Sequence, residues 1–180
     1  MRNIEKIKIE ATQVNYIYIY FFIVLILTYV LPENILQILT PLQWIVNLIA
    51  DIFPSIAKLG RYSAFPQVAQ IVYALCIITL PATCIFAYKI SKKEINKDPD
   101  AMKKRNIPGI VVLGIICITI ALLVIIFGLP GNPAKNEYYF LTDWIHNSKF
   151  GFSFNTSLVF LLFVVSLAEV VVTARLNYKK

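Results

Sequence analysis

The chain has 180 residues, 58% of them hydrophobic, and its mean hydropathy of +0.70 exceeds what a soluble domain with a polar surface can accommodate. Its formal net charge of +7 would suit a nucleic-acid partner if the cations formed one patch. The cations are instead concentrated in the two terminal segments and in one connection between apolar segments. This segregation predicts an integral membrane protein that contacts the lipid bilayer and has no nucleic-acid partner.

The first predicted membrane span covers residues 14–31. A helix of 18 residues rises about 27 Å, which matches the thickness of the hydrocarbon core. The segment is longer than the apolar core of a signal peptide, and it runs into Pro32 and Glu33 without a small-residue cleavage site. We therefore interpret it as a retained transmembrane helix.

Residues 32–65 form the first predicted outer loop, which is neither a clean span nor a polar connection. Apolar residues recur at helical spacing over residues 35–53, interrupted by single polar residues such as Gln43 and Asn47. This pattern predicts an amphipathic helix on the outer face, with Trp44 as an interfacial anchor. The alternative is a re-entrant segment that other helices shield from lipid.

Three further spans follow along the chain, at residues 66–88, 107–129 and 157–174. The last two are separated by residues 130–156, the second predicted outer loop, which is alternately aromatic and polar. Trp144 in this loop is the second predicted interfacial anchor, because tryptophan favours the headgroup region. The pattern predicts an all-α polytopic membrane protein, a four-helix transmembrane bundle with an amphipathic outer-face helix in the first loop.

Charge sets the predicted orientation. Residues 89–106, between the second and third spans, hold seven Lys and Arg residues. Together with the two terminal segments they carry 13 of the 17 cations, and the outer loops carry only four. Positive charge in short connections is retained in the cytoplasm. We therefore predict that both termini and this loop are cytoplasmic.

Few residues are candidates for chemistry. Cys76, Cys84 and Cys117 lie inside spans and form no Cys-x-x-Cys pair, so we interpret them as buried apolar residues rather than redox groups. His146 is the only histidine, and we interpret it as an interfacial polar residue rather than a metal ligand. No catalytic motif lies in or near a span. The sequence predicts a protein that is not an enzyme and has no catalytic residues, metal or cofactor.

Four residues within the spans are candidates for partner binding. Glu169 lies about 9 Å deeper along its helix than Arg175, and it could pair within the bundle, contact another chain or relay protons. Gln70 is predicted to form an interhelical hydrogen bond of about 1 kcal/mol. Gly114 and Ala121 mark a face that another helix, of this chain or of a partner, could approach closely.

Two short segments are similar to the immunity proteins of pore-forming colicins of the A, B and N type. Residues 53–56 (Phe-Pro-Ser-Ile) are similar to a Leu-Pro-Ser-Ile before the second span of that family. Residues 88–92 (Tyr-Lys-Ile-Ser-Lys) are similar to an aromatic-Lys-Ile-Arg-Lys run at the exit of the same span. The order of spans and loops across the chain also resembles that family. The resemblance implies a bacterial inner-membrane protein that binds the membrane-inserted helical hairpin of a pore-forming toxin and blocks its channel.

Two other functions remain open on the sequence. The chain could be a small accessory subunit of a larger membrane transport or secretion complex, with its aromatic outer loops as docking surfaces. It could also be a carrier or membrane enzyme that depends on Glu169, although a carrier requires several polar residues along one path through the bilayer.

Overall fold

Eight helices account for the regular structure of the residues that the computed structural model describes, which are 18–97, 107–128 and 140–177. We label them in chain order, and α1 is described from Tyr18 onward. They are α1 (Tyr18–Val30), α2 (Ile35–Ile38), α3 (Thr40–Ile52), α4 (Pro54–Tyr62), α5 (Pro66–Lys97), α6 (Ile107–Phe127), α7 (Phe140–Asn147) and α8 (Lys149–Asn177). The coarse prediction of an all-α membrane protein is confirmed.

Three of the described helices, α5, α6 and α8, are long and apolar enough to cross a membrane. The pair α3 and α4 meets the same criteria together, but the two helices are bent by 117° at their junction, so the count is three or up to four. The described part of the first predicted span is α1, and its 13 residues rise about 20 Å. Residues 14–17 of that predicted span lie outside the described residues.

Two helices extend beyond the predicted spans. α5 continues to Lys97, past the predicted end at residue 88. α8 begins at Lys149, so residues 149–156 are helical although the sequence pattern assigned them to a loop. The reason for the early start is local: Ser148 precedes the helix, and its Oγ accepts a hydrogen bond of 3.1 Å from the backbone N–H of Gly151. A serine at this position satisfies one of the free amides of the first turn.

The bundle is built around α8, which packs against both α5 and α6. α1 lies against the first turns of α8, where Ser153 Oγ donates a hydrogen bond of 3.0 Å to Thr28 Oγ1 in a buried contact. The ring of Phe21 packs on those of Phe150 and Phe154. α1 is therefore packed as part of the helix bundle.

The short helices α2, α3, α4 and α7 all lie at one end of the bundle, which we call the capped end. Three contacts define it, two between a connection and the first turn of α8 and one between a connection and α7. Lys149 Nζ lies 3.8 Å from Glu33 Oε1, the rings of Phe65 and Phe152 are 5.6 Å apart, and Ala64 donates a backbone hydrogen bond to His146. The chain reaches this end by α1, leaves by α5, returns by α6 and leaves by α8, so the four helices alternate in direction.

The core of the protein is concentrated toward the capped end. The largest side chains with almost no exposure come from α4, α5, α6 and α8, and they include Ile56, Ile71, Ile125, Phe152 and Phe160. A second, smaller cluster joins Ala87 of α5 to Val164 and Ala168 of α8. The three cysteines are unpaired and lie within α5 and α6, with Cys76 fully buried.

The carboxyl end of α6 is closed by side chains from two other helices. The last four carbonyl groups of a helix have no partner within it, and inside a membrane protein such groups are costly unless they are satisfied. Ser55 Oγ of α4 donates a hydrogen bond of 2.6 Å to the carbonyl of Ile125. Tyr73 Oη of α5 donates one of 3.3 Å to that of Val124. Gly128 then ends the helix with a φ of 75°, which glycine adopts without strain.

We expect Ser55→Ala to lower the free energy of unfolding by about 1–2 kcal/mol, because the buried carbonyl of Ile125 would lose its side-chain partner. Unfolding of the purified protein in detergent measures the change. The matched control is Thr119→Ala, since the exposed Thr119 hydroxyl bonds only to its own helix at Ile115. Equal stability of the two variants would contradict this role for Ser55.

Candidate partner-binding surfaces

His146 and Glu169, the two polar residues considered for chemistry, both lie in the part of the chain that the structure describes. No group of three or more His, Cys, Asp or Glu residues there could hold a metal ion. His146 is half-buried on α7, and its backbone carbonyl accepts hydrogen bonds from Ala64 N–H and Ser63 Oγ. Glu169 is half-buried on α8 and interacts with another group of the chain.

Gln70 forms the predicted interhelical hydrogen bond. Its Nε2 donates to the backbone carbonyl of Ile56 on α4 at 3.4 Å. Gly60, one turn further along α4, makes room for this side chain, because a Cβ there would clash with Gln70 Nε2. The amide thus holds α4 against α5, and its predicted role in binding a partner stays a prediction.

Gly114 and Ala121 lie inside the protein. A Cβ added to Gly114 would clash with Cγ2 of Val170, so the helix that approaches this glycine is α8 of the same chain. Ala121, two turns further along α6, is 1% exposed and belongs to the main core. A partner could contact Gly114 only by separating α6 from α8, and Ala121 only by opening the core. Their predicted partner role is untested, and their observed role is helix packing.

The two tryptophans differ in their surroundings. Trp144 is 39% exposed and its ring lies 6.3 Å from both Phe150 and Phe154. Gly151 packs under it, since a Cβ there would lie 2.9 Å from the indole. Trp44 on α3 is 69% exposed. Both residues lie at the capped end, and their predicted function as interfacial anchors remains a prediction.

α3 presents three different faces around its axis. The residues packed on the protein are Leu42, Val46, Ile49 and Ala50. Exposed apolar residues on the next face are Trp44, Leu48 and Ile52. Exposed polar residues on the remaining face are Gln43, Asn47 and Asp51. One apolar face of this helix is therefore left uncovered by the protein.

α6 offers the most continuous exposed surface of any long helix in the described residues. Only 11% of its apolar membrane-spanning stretch is buried by the rest of the protein, against 33% of the corresponding stretch in α5 and 44% in α8. Five large apolar residues on its outward side recur at alternating steps of three and four. We call them the outer seam of α6: Leu113, Ile116, Ile120, Leu123 and Phe127, each between 49% and 63% exposed.

The outer seam was not singled out from the sequence. α6 is apolar on all sides, so its pattern does not distinguish a face that packs on the bundle from one that does not. The sequence feature that indicates the outward side of α6 is the position of Gly114 and Ala121 on the side opposite to the outer seam. Once they are assigned to the internal contact, the residues at steps of three and four on the other side must face outward.

Of the two segments whose sequences are similar to immunity proteins, one lies at the junction of two helices and the other lies inside a long helix. Residues 53–56 form the bend between α3 and α4, where Pro54 is the first residue of α4 and Ser55 closes the end of α6. Ile56 is fully buried. Residues 88–92 lie within α5, where Lys89 and Lys92 are exposed and Ser91 is buried.

No family model matches the chain, and no curated protein or solved structure shows significant similarity to it.

Proposed function

We propose that this protein is an immunity protein of the bacterial cytoplasmic membrane, which binds the membrane-inserted helices of a pore-forming toxin and keeps the channel closed. The observation that carries the proposal is the outer seam of α6, an apolar surface that runs the length of a membrane helix and is not used by the bundle. The similarity of residues 53–56 and 88–92 to that family supports the same function.

The outer seam suits recognition between helices inside a membrane. Lipid tails are as apolar as leucine, so helices associate in a bilayer through close packing rather than through the hydrophobic effect. Residues at alternating steps of three and four let the side chains of one helix fit between those of another. The seam combines Ile116 and Ile120, whose branched side chains lose little freedom on binding, with Leu113, Leu123 and Phe127. A toxin hairpin lying in the same hydrocarbon layer would expose apolar helices of matching chemistry.

The proposed orientation places both termini in the cytoplasm and the capped end outside, with α1, α5, α6 and α8 as four membrane-spanning helices. Its support is the distribution of charge, since 13 of the 17 Lys and Arg residues lie in the termini and in residues 89–106. The alternating direction of the four helices agrees with this arrangement. Reporter fusions at Asp98 and Asn136 should report inside and outside respectively, and the reverse pattern would contradict the orientation.

α3 then lies at the outer interface, where its three faces meet three environments. The buried face contacts the bundle, Gln43, Asn47 and Asp51 face water, and Trp44 and Leu48 face lipid. An amphipathic helix whose faces separate in this way lies in the plane of the interface. The re-entrant alternative would instead place α3 and α4 deeper in the hydrocarbon.

We expect Trp44 to lie at headgroup depth. In a Trp144→Phe protein, Trp44 is the only tryptophan, so its fluorescence can be quenched by lipids that carry a quencher at known depths. Shallow probes should quench most strongly, because the aromatic ring and the polar face of α3 both favour the interface. Strongest quenching by probes near the bilayer centre would support the re-entrant arrangement instead.

The function is tested by expressing the protein in a sensitive bacterium and challenging the cells with a panel of pore-forming toxins. The proposal predicts protection against one toxin or a small related group, with no protection against toxins that act by hydrolysis inside the cell. Failure to protect against any pore-forming toxin, with the protein verified in the membrane, would contradict it. Equal protection against toxins of both kinds would indicate a general effect on uptake and would also contradict it.

A further inference from the structure

The half of α5 farther from the capped end carries a stripe of exposed residues that changes from apolar to basic. Ile78 and Ile85 are 51% and 58% exposed, and Ala82 between them is also exposed. Lys89 and Lys92 continue the same row at steps of four and three, and both are exposed. Residues spaced in this way along a helix share one face. The lysines therefore point in the same direction as the apolar surface that precedes them.

The opposite face of this part of α5 is turned toward the protein. Ala87 is 7% exposed and packs with Val164 and Ala168 of α8, and Ser91 is 8% exposed. The stripe is thus fixed on the outside of the bundle by packing behind it. Its apolar part is continuous with the surface that a membrane helix presents to lipid.

The helix does not end where the apolar residues do. α5 remains helical to Lys97, beyond both lysines of the stripe. Among the described residues, neither Lys89 nor Lys92 forms an ion pair. Their charge is therefore available to a ligand that approaches from the lipid side.

We propose that this stripe is a binding site for an anionic phospholipid. An acyl chain lies along Ile78, Ala82 and Ile85, and the headgroup phosphate is held by Lys89 and Lys92. The shift from apolar to basic residues along one face matches the order of groups in such a lipid, with its chain in the hydrocarbon and its phosphate at the surface. Basic clusters directly beyond a membrane helix attract anionic lipids, and lysine side chains reach to the headgroup level along their apolar stems.

The site is independent of the proposed function, because it lies on α5 and shares no residue with the outer seam of α6. A zwitterionic lipid would satisfy the apolar part of the stripe, but the positive charge of its headgroup would be repelled by the lysines. A soluble phosphate would satisfy the lysines and leave the apolar part uncovered. An anionic phospholipid is the ligand that satisfies both parts at once.

The test uses the whole protein in phosphatidylcholine nanodiscs that contain a small fraction of spin-labelled lipid. The fraction of label immobilised by the protein is compared for phosphatidylglycerol and phosphatidylcholine. We expect the wild-type protein to prefer phosphatidylglycerol by about fivefold or more, since one lysine near a charged surface contributes roughly that factor. The preference should decline at about 1 M salt, where charges are screened within about 3 Å.

Two variants separate the role of charge from that of shape. In Lys89→Gln with Lys92→Gln the preference should fall close to parity, whereas Lys89→Arg with Lys92→Arg should retain it. The matched control is Lys58→Gln with Arg61→Gln, which removes two charges at the capped end and should leave the preference unchanged.

Three results would overturn the site. They are equal immobilisation of the two lipids by the wild-type protein, an undiminished preference in Lys89→Gln with Lys92→Gln, and a loss as large in the control at the capped end. Displacement of the labelled lipid by excess soluble glycerophosphate would assign the lysines to a free phosphate and would overturn the lipid as ligand.

Discussion

Gly114→Ala is expected to destabilise the protein by about 2–3 kcal/mol, a large effect for the addition of one methyl group to a helix. The new Cβ would clash with Cγ2 of Val170 on α8. Val170 cannot easily turn away, because a valine in a helix strongly prefers one rotamer. α6 and α8 would have to separate, and both contribute to the bundle core. Unfolding of the purified protein in detergent measures the loss.

The control for this prediction is a second substitution in the same contact. Val170→Ala removes the methyl group in the way, after which the nearest atoms to the new Cβ would be Ser166 O at 3.7 Å and Val170 Cβ at 3.9 Å. Both distances are ordinary van der Waals contacts, so the double variant should recover most of the stability lost by Gly114→Ala. A double variant that is less stable than either single variant would contradict the close approach of α6 and α8.

A triple replacement in the outer seam of α6 should abolish protection while leaving the protein in the membrane. Ile116→Ala, Ile120→Ala and Leu123→Ala together remove the side chains that would pack against a toxin helix. A few central residues carry most of the binding energy of an interface, so we expect protection to fall by about 100-fold or more in toxin dose. The dose at which half the cells survive measures the effect. Insertion into the membrane should be retained, because the apolar stretch of α6 has a mean hydropathy of 3.4.

The matched control is a triple replacement on α8. Leu158→Ala, Leu162→Ala and Val165→Ala remove similar exposed side chains from a different helix. We expect this variant to protect cells about as well as the wild-type protein. Equal loss of protection in both variants, at equal amounts in the membrane, would show that the outer seam of α6 is not the specific surface.

The apolar segments and the basic loop were sufficient to predict the class of fold. Long apolar runs must be helical in a bilayer, because every backbone group has to be satisfied within the segment. The sequence did not reveal that α8 begins at Lys149. Phe150, Phe152 and Phe154 alternate with small or polar residues, a pattern typical of an extended segment, and the Ser148 cap that starts the helix is a single-residue signal.

The bend between α3 and α4 was predicted only as an interruption. Pro54 cannot continue a helix from the preceding residues, so the sequence indicated a break there. It did not indicate that the bend would close the end of α6, because the bond from Ser55 to Ile125 joins residues 70 positions apart. Contacts between distant segments depend on how the helices are arranged, and local sequence patterns carry little information about them.

The candidate partner-binding residues show the same limit, because their contacts also join distant segments of the chain. Gly114 lies at a close helix contact, as its small size predicts, but one sequence cannot say whether the second helix is internal. Val170 of α8 supplies that answer in the structure. Gln70 was predicted to bond between helices and does so with α4. The outer seam emerged only after these internal contacts had been assigned.

The central claim, that α6 binds a toxin helix within the membrane, is tested most directly by crosslinking in living cells. A photoreactive residue is placed at Ile120, which is 53% exposed on the outer seam, or at Ala121, which is 1% exposed inside the bundle. Cells are then challenged with the toxin against which the protein protects. The proposal predicts an adduct between the protein and the toxin from position 120 and none from position 121. Full protection without a toxin adduct from position 120, or a toxin adduct from position 121 alone, would contradict it.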